Sequence, residues 1–125
     1  IRLDGREGQG FGAVLAAGDA NGDDRDDLAI GLPKDPVEPF GADWGTVLLL
    51  PGTRASLAVS AADARWLQLS VHGLPDPRSG GFFGASIALG DLDGVPGDDL
   101  VIGVPGEACD DGDACGAVLT ARFPR

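Results

Sequence analysis

Residues 18–27 read GDANGDDRDD and place carboxylates at 19, 23, 24, 26 and 27 in one stretch, with Ala20 its only apolar side chain. Calcium takes six to eight oxygen ligands from carboxylates, amide oxygens, backbone carbonyls and water. Counting from Asp19, side-chain oxygens stand at positions one, three and five (Asp19, Asn21, Asp23) and at nine (Asp27). Position seven is Arg25, which can serve only through its carbonyl, and Gly22 eases the bend. A helix-loop-helix calcium motif would need a bidentate Glu at position twelve, where this chain has Ile30. The competing reading is a solvated turn, since Asp, Asn and Gly favour turns without a metal. Crowded carboxylates without a cation repel one another, and this favours an ion.

Residues 91–99, DLDGVPGDD, form a second acidic loop with Asp91 and Asp93 at the first two positions and Asp99 at the last. Pro96 stiffens this loop, so that the carbonyls of Val95 or Gly97 complete a weaker site, or the loop stands without an ion.

Other chemistry has little support. His72 is the only histidine, and Ser60, Ser70 and Ser79 lack a nucleophile-elbow context, so no catalytic residues are assigned and the chain is not read as an enzyme. The glycines of GREGQGFG follow no strand-to-helix pattern that would cradle phosphate. Trp44 and Trp66 could stack on a sugar, although packing is the plainer role for each. Cys109 and Cys115 flank an acidic loop without His, which fits a disulfide better than zinc, two free thiols being the alternative; a disulfide implies an oxidising compartment.

The elements that must hold these loops follow from a duplication. Residues 10–33 align without a gap to residues 82–105 at a constant offset of 72, with Phe11 on Phe83, Asp19 on Asp91, Asp27 on Asp99 and Pro33 on Pro105. GTVLLL at 45–50 resembles GAVLTA at 116–121, and IRLDG at 1–5 resembles LSVHG at 69–73. Short apolar or alternating runs bounded by Gly, Pro and Asp predict strands near 1–4, 12–18, 27–32, 46–50, 66–72, 84–90, 99–104 and 116–123. Residues 54–66 are allowed a helical turn. The result is an all-β unit over 1–125, with one repeat over about 1–65 and the other over about 66–125.

Composition agrees. The chain has 125 residues, enough for one domain with a core, and 43% are hydrophobic. Of its 20 acidic residues 17 are Asp, which with 21 Gly and nine Pro puts the acid in turns rather than helices. A net charge of −11 repels phosphate backbones and excludes nucleic acid as a natural partner. No apolar run is long enough to span a bilayer as a helix, and the absence of Met predicts a processed or excised product.

Phe11-Gly12 with Gly31-Leu32-Pro33, and Phe83-Gly84 with Gly103-Val104-Pro105, resemble the FG-GAP repeat of integrin α-subunit β-propellers and of secreted bacterial proteins. The resemblance implies two tandem four-stranded antiparallel propeller-type blades, with calcium held in the loop between the first two strands of each. It places ligands on the loop positions named above, although Val95 stands where that family has an oxygen donor. Phe11, Phe82 and Phe83 become core anchors. It also implies a secreted, extracellular or cell-surface location. The strands are out of phase with the chain ends: 1–4 matches the last strand of a repeat, and 116–123 the third. Unpaired edges are templates for pairing. The expected function is therefore a calcium-binding structural or adhesive module that assembles with itself head to tail, through strands 1–4 and 116–123, into a filament or ring. The alternative is part of a larger integrin-like propeller that binds a protein or glycan ligand.

Overall fold

A computed structural model describes residues 2–8, 10–36, 44–54, 81–109 and 113–122, together with the backbone of 65–67. These form seven strands: β1 (Val14–Gly18), β2 (Asp27–Leu32), β3 (Thr46–Leu50), β4 (Arg65–Leu67), β5 (Ser86–Gly90), β6 (Asp99–Val104) and β7 (Ala117–Ala121). No helix occurs among the described residues. One antiparallel sheet has the order β1-β2-β3-β4 and the other β5-β6-β7, each a meander in which sequential strands are neighbours.

The duplication seen in the sequence is a duplication of register. Val14 pairs with Gly31 and Gly18 with Asp27; at an offset of 72, Ser86 pairs with Gly103 and Gly90 with Asp99. β1 and β5 both start two residues later than the apolar pattern predicts. In each repeat a turn precedes the strand, closed by the Ala13 amide donating to the Gly10 carbonyl (3.1 Å) and the Ala85 amide donating to the Phe82 carbonyl (3.0 Å).

One expectation is corrected. Residues 2–4 form no strand; Leu3 instead packs against the apolar cluster of the first sheet. A strand needs a partner edge, and among the described residues no strand is paired with residues 2–4. The second sheet has, among the described residues, the three strands expected near 84–90, 99–104 and 116–123. The expected strand at 66–72 is seen at 65–67, and its remainder lies outside the described residues, as do 55–64 of the suggested helical turn and His72, Ser60, Ser70 and Ser79.

Strand side chains alternate between two faces. In the first sheet both faces are apolar, as the run VLLL in β3 requires, and every residue of β3 is buried. One face carries Ala16, Ala29, Val47 and Leu49; the other carries Leu28, Ile30, Leu48 and Leu50, against which Leu3 and Phe11 pack. The first of these faces lies on the second sheet, meeting Ile87, Leu89, Leu100, Ile102 and Leu119 in one core with Trp44 and Phe83. The two sheets approach mainly along β1 and β5. The outer side of the second sheet is not covered: Ser86, Ala88 and Thr120 are exposed, and Val118 is 73% exposed.

The seam between the sheets is closed by Phe83. Its amide donates to the Trp44 carbonyl (2.9 Å), and a parallel bridge joins it to Gly45. Gly45 has φ +85°, and a Cβ there would collide with the Phe83 backbone; a Cβ at Gly31 would collide with the Gly84 carbonyl. Fully buried Trp44 and Phe83 take the packing roles assigned to them, so Trp44 offers no platform for a sugar.

Cys109 and Cys115 are disulfide-bonded, with Cα atoms 5.4 Å apart. The bond closes the excursion between β6 and β7, where Ala108 and Ala114 form an antiparallel bridge and the Cys115 amide donates to the Glu107 carbonyl (2.9 Å).

Two stability measurements check this account. Replacing both cysteines with Ser releases a short loop and should lower unfolding free energy in urea by about 2 kcal/mol. Gly45→Ala should cost more than twice as much as Gly12→Ala. Both positions have positive φ, at about 1–2 kcal/mol for an L residue, but only Gly45 also faces a backbone collision, Gly12 having nothing within 4 Å of a Cβ.

Candidate metal centre

Both acidic loops leave the same end of their sheets, joining β1 to β2 and β5 to β6. Each is wound by its own carboxylates. In the first, Asp19 Oδ1 accepts from the amides of Gly22 (2.7 Å) and Asp23 (3.0 Å), and Oδ2 accepts from the Asp24 amide (2.8 Å). Asn21 Oδ1 accepts from the Asp23 amide (3.1 Å), and Asp23 Oδ1 accepts from the Arg25 amide (3.0 Å). The second loop repeats the pattern: Asp91 Oδ1 accepts from Gly94 (2.7 Å) and Asp93 Oδ1 from Val95 (2.9 Å). The bonds that reach two residues on, from Asn21, Asp23 and Asp93, are Asx turns, the local preference that makes Asp and Asn turn residues. The glycines at the bend, Gly22 and Gly94, both have φ +76°.

The last acidic residue of each loop lies at the start of a strand and is buried. Asp27 is 1% exposed; its Oδ1 accepts from the Gly52 amide (2.9 Å) and its Oδ2 from the Asn21 amide (3.2 Å). Asp99 is 7% exposed, and its Oδ2 accepts from the Leu92 amide (2.9 Å). Burial pushes the Asp27 carboxyl above its ordinary value of 3.8, an effect partly offset by the amides of Gly52, Asn21 and Ala20 and reinforced by the nearby Asp23 charge.

Among the described residues, the group of three carboxylates that converges is Asp91, Asp93 and Asp99, with one oxygen from each within 4.8 Å of the others. Two ligands at 2.3–2.6 Å from one calcium can lie no more than about 5.2 Å apart, so this spacing fits a shared ion. The donors are all oxygen, which suits a hard cation such as calcium or magnesium rather than zinc or copper. Val95 supplies no side-chain oxygen and its side chain is exposed, while Gly97 sits at φ +101°. In the first loop Asp19, Asn21, Asp23 and Asp27 share one turn, but their oxygens are directed to backbone amides, and the Arg25 guanidinium reaches Asp23 Oδ2 (3.2 Å).

Three participants were not singled out in the sequence. Arg122, just past β7, pairs with Asp93 and stands 3.7 Å from Asp99 Oδ1, so a guanidinium supplies positive charge to the converging carboxylates. Asp98 joins the loops: its Oδ2 accepts from the Asp19 amide (2.9 Å), and its own amide donates to the Asp19 carbonyl (2.6 Å). Gly52, beyond β3, supplies an amide to Asp27, and a Cβ there would collide with the Asp26 carbonyl. Only the acidic character of Asp98 was visible, since its partner is 79 residues away.

No protein-family profile matches this chain, and no curated protein matches it. The fold and the site therefore define the class alone: an all-β protein of two stacked antiparallel sheets, with a disulfide and an acidic oxygen cluster able to hold a metal ion. No helix among the described residues is long and apolar enough to cross a membrane.

A raised carboxyl pKa in the folded state means that the fold holds its proton more tightly than the unfolded chain does. The resulting stability is present at low pH and is lost as pH climbs from about 3.8 through the raised value. In metal-free buffer, urea midpoints of wild type relative to Asp27→Asn should accordingly fall as pH rises through this range. A constant difference would show that Asp27 titrates as it does in the unfolded chain.

Proposed function

We propose that this chain is an extracellular structural or adhesive module of the FG-GAP type, stabilised by calcium and joined head to tail with other copies by β-strand complementation. The observation that carries the reading is the convergence of Asp91, Asp93 and Asp99, repeated in plan by the Asp19–Asp27 loop at the adjoining sheet. All-oxygen ligation suits the millimolar calcium outside cells, where modules with affinities of ~10⁻⁴–10⁻³ M are filled. A disulfide fits the same compartment.

The ion's role would be structural. It would replace the Arg122 guanidinium as the main counter-charge in the second loop and draw the Asp19, Asn21 and Asp23 oxygens inward in the first, with the Arg25 carbonyl and Asp27 completing the set. Assembly is supported by the edge of β7, which pairs with β6 on one side and with no strand on the other among the described residues. Strand 1–4 is the proposed donor, its residues 2–4 having no strand partner among the described residues.

The alternative, a segment of a larger propeller that binds a protein or glycan, would leave the isolated chain monomeric.

Calcium at ~100 times its dissociation constant should add about 2.7 kcal/mol per site. For a chain of this size that is a Tm rise of roughly 10 °C. EDTA should reverse it, and Asp91→Asn with Asp99→Asn should remove the second loop's share. Identical melting curves with calcium and with EDTA would refute the metal reading. Light scattering on the same samples tests assembly: a single monomeric mass at every concentration would favour the larger-propeller alternative.

A further inference from the structure

The uncovered side of the second sheet corresponds, position for position, to the side of the first sheet on which the Phe83–Gly84 turn is seated. In the first sheet that seat consists of Gly31, Gly45 and Val47. Gly31 lies beneath the Gly84 carbonyl, Gly45 against the Phe83 backbone, and Val47 Cγ2 lies 2.9 Å from where a Gly84 Cβ would be. The corresponding residues of the second sheet are Gly103, Gly116 and Val118. Gly116 has φ +77°, matching +85° at Gly45, yet the atoms nearest to a Cβ there and at Gly103 belong to their own repeat: Pro105 and Val104 for Gly116, Ser86 for Gly103. An open groove of about 570 Å³ lies there, lined by Gly103, Pro105, Cys115, Gly116 and Val118 among others.

The piece that fits this seat is present at the opposite end of the molecule. The turn at Gly10-Phe11-Gly12 has the backbone of Phe82-Phe83-Gly84, with φ +71° and +87° at its outer residues against +55° and +87°. Gly84 is pressed against Val47 and the Thr46 carbonyl, whereas a Cβ at Gly12 would meet nothing within 4 Å. Phe83 is fully buried, and Phe11 only half so. Leu15, 58% exposed on β1, corresponds to Ile87, whose Cδ1 packs beside Gly31. Val118, 73% exposed, corresponds to Val47, which is fully buried. Each of these two exposed apolar residues thus has a repeat counterpart that is covered at the seam between the sheets.

We propose that the Phe11–Gly12 turn and Leu15 of one copy dock on the Gly103–Gly116–Val118 face of another, reproducing between chains the β1–β5 seam found within one. The proposal rests on the head-to-tail reading above and specifies its contact surface. The Phe11 amide would donate to the Cys115 carbonyl, as the Phe83 amide does to that of Trp44. Because the recognition is by backbone, the change from Trp44 to Cys115 leaves it intact. The two surfaces differ and lie at opposite ends, so the contact is heterologous and propagates from copy to copy.

Sedimentation velocity on the full chain in calcium, over a concentration series, provides the test. Wild type should show a mass that climbs with concentration past the dimer. Leu15→Asp and Val118→Asp, both at exposed positions and both checked for native circular dichroism, should each remain monomeric alone. Mixed in equal amounts they should form a dimer and stop there, because one intact turn then meets one intact face. Failure of the mixture to pair, or association of either variant as in wild type, overturns the proposal. A chain lacking residues 1–5 separates this surface from strand donation. If that truncation abolishes association while both Asp variants still associate, strand donation survives and face docking does not. A monomeric wild type overturns both, and leaves the calcium-dependent Tm to judge the metal reading separately.

Discussion

The structure hinges on the backbone contact between Phe83 and the Trp44-Gly45 pair. A strand end and a turn from two different sheets can approach so closely only because Gly31 and Gly45 carry no Cβ in the way. Once the Phe83 amide has bonded to the Trp44 carbonyl, the Phe83 ring is placed among Val47, Leu100, Ile102 and Val104. Burial of a side chain of that size stabilises by about 1.5–3 kcal/mol. The relative setting of the sheets follows from this seam, and with it the proximity of the two acidic loops at their common end.

Burial and charge are in tension at those loops. Asp27 and Asp99 begin their strands inside the protein, where an ionised carboxylate is costly unless it is hydrogen-bonded or neutralised. Amides of Gly52, Asn21 and Leu92 meet part of that need, and Arg122 supplies charge near Asp99. Asp91 and Asp93 wind their loop by accepting from its amides, and one oxygen of each lies at ion-sharing distance from one of Asp99. The same residues that wind the loop are those a cation would use, so winding and binding draw on one set of oxygens.

Most strands were legible because the apolar runs are short and flanked by Gly, Pro and Asp. β2, β3 and β6 occur where the pattern sets them. In β7 the alternation of AVLTA matches half-buried Leu119 between exposed Val118 and Thr120, whereas the unbroken VLLL of β3 is buried throughout. Residues 1–4 have a strand-like composition, but strand formation depends on an available edge, which composition does not encode. The loop residues were legible as a repeated acidic motif; the convergence of Asp91, Asp93 and Asp99 depends on how far each carboxylate turns toward a backbone amide. Arg122 and Asp98 were not legible in their roles, because each acts on groups distant in the chain.

Asp98 has a thermodynamic consequence. Its carboxylate accepts from the Asp19 amide and its own amide donates to the Asp19 carbonyl, so loosening either loop disturbs the other. The conformational entropy of the two segments is therefore shared: whatever immobilises one leaves less freedom for the other to lose. Such linkage is reciprocal, acting with equal strength in either direction. Two loops that look like independent copies in the sequence are thus tied together by a single aspartate.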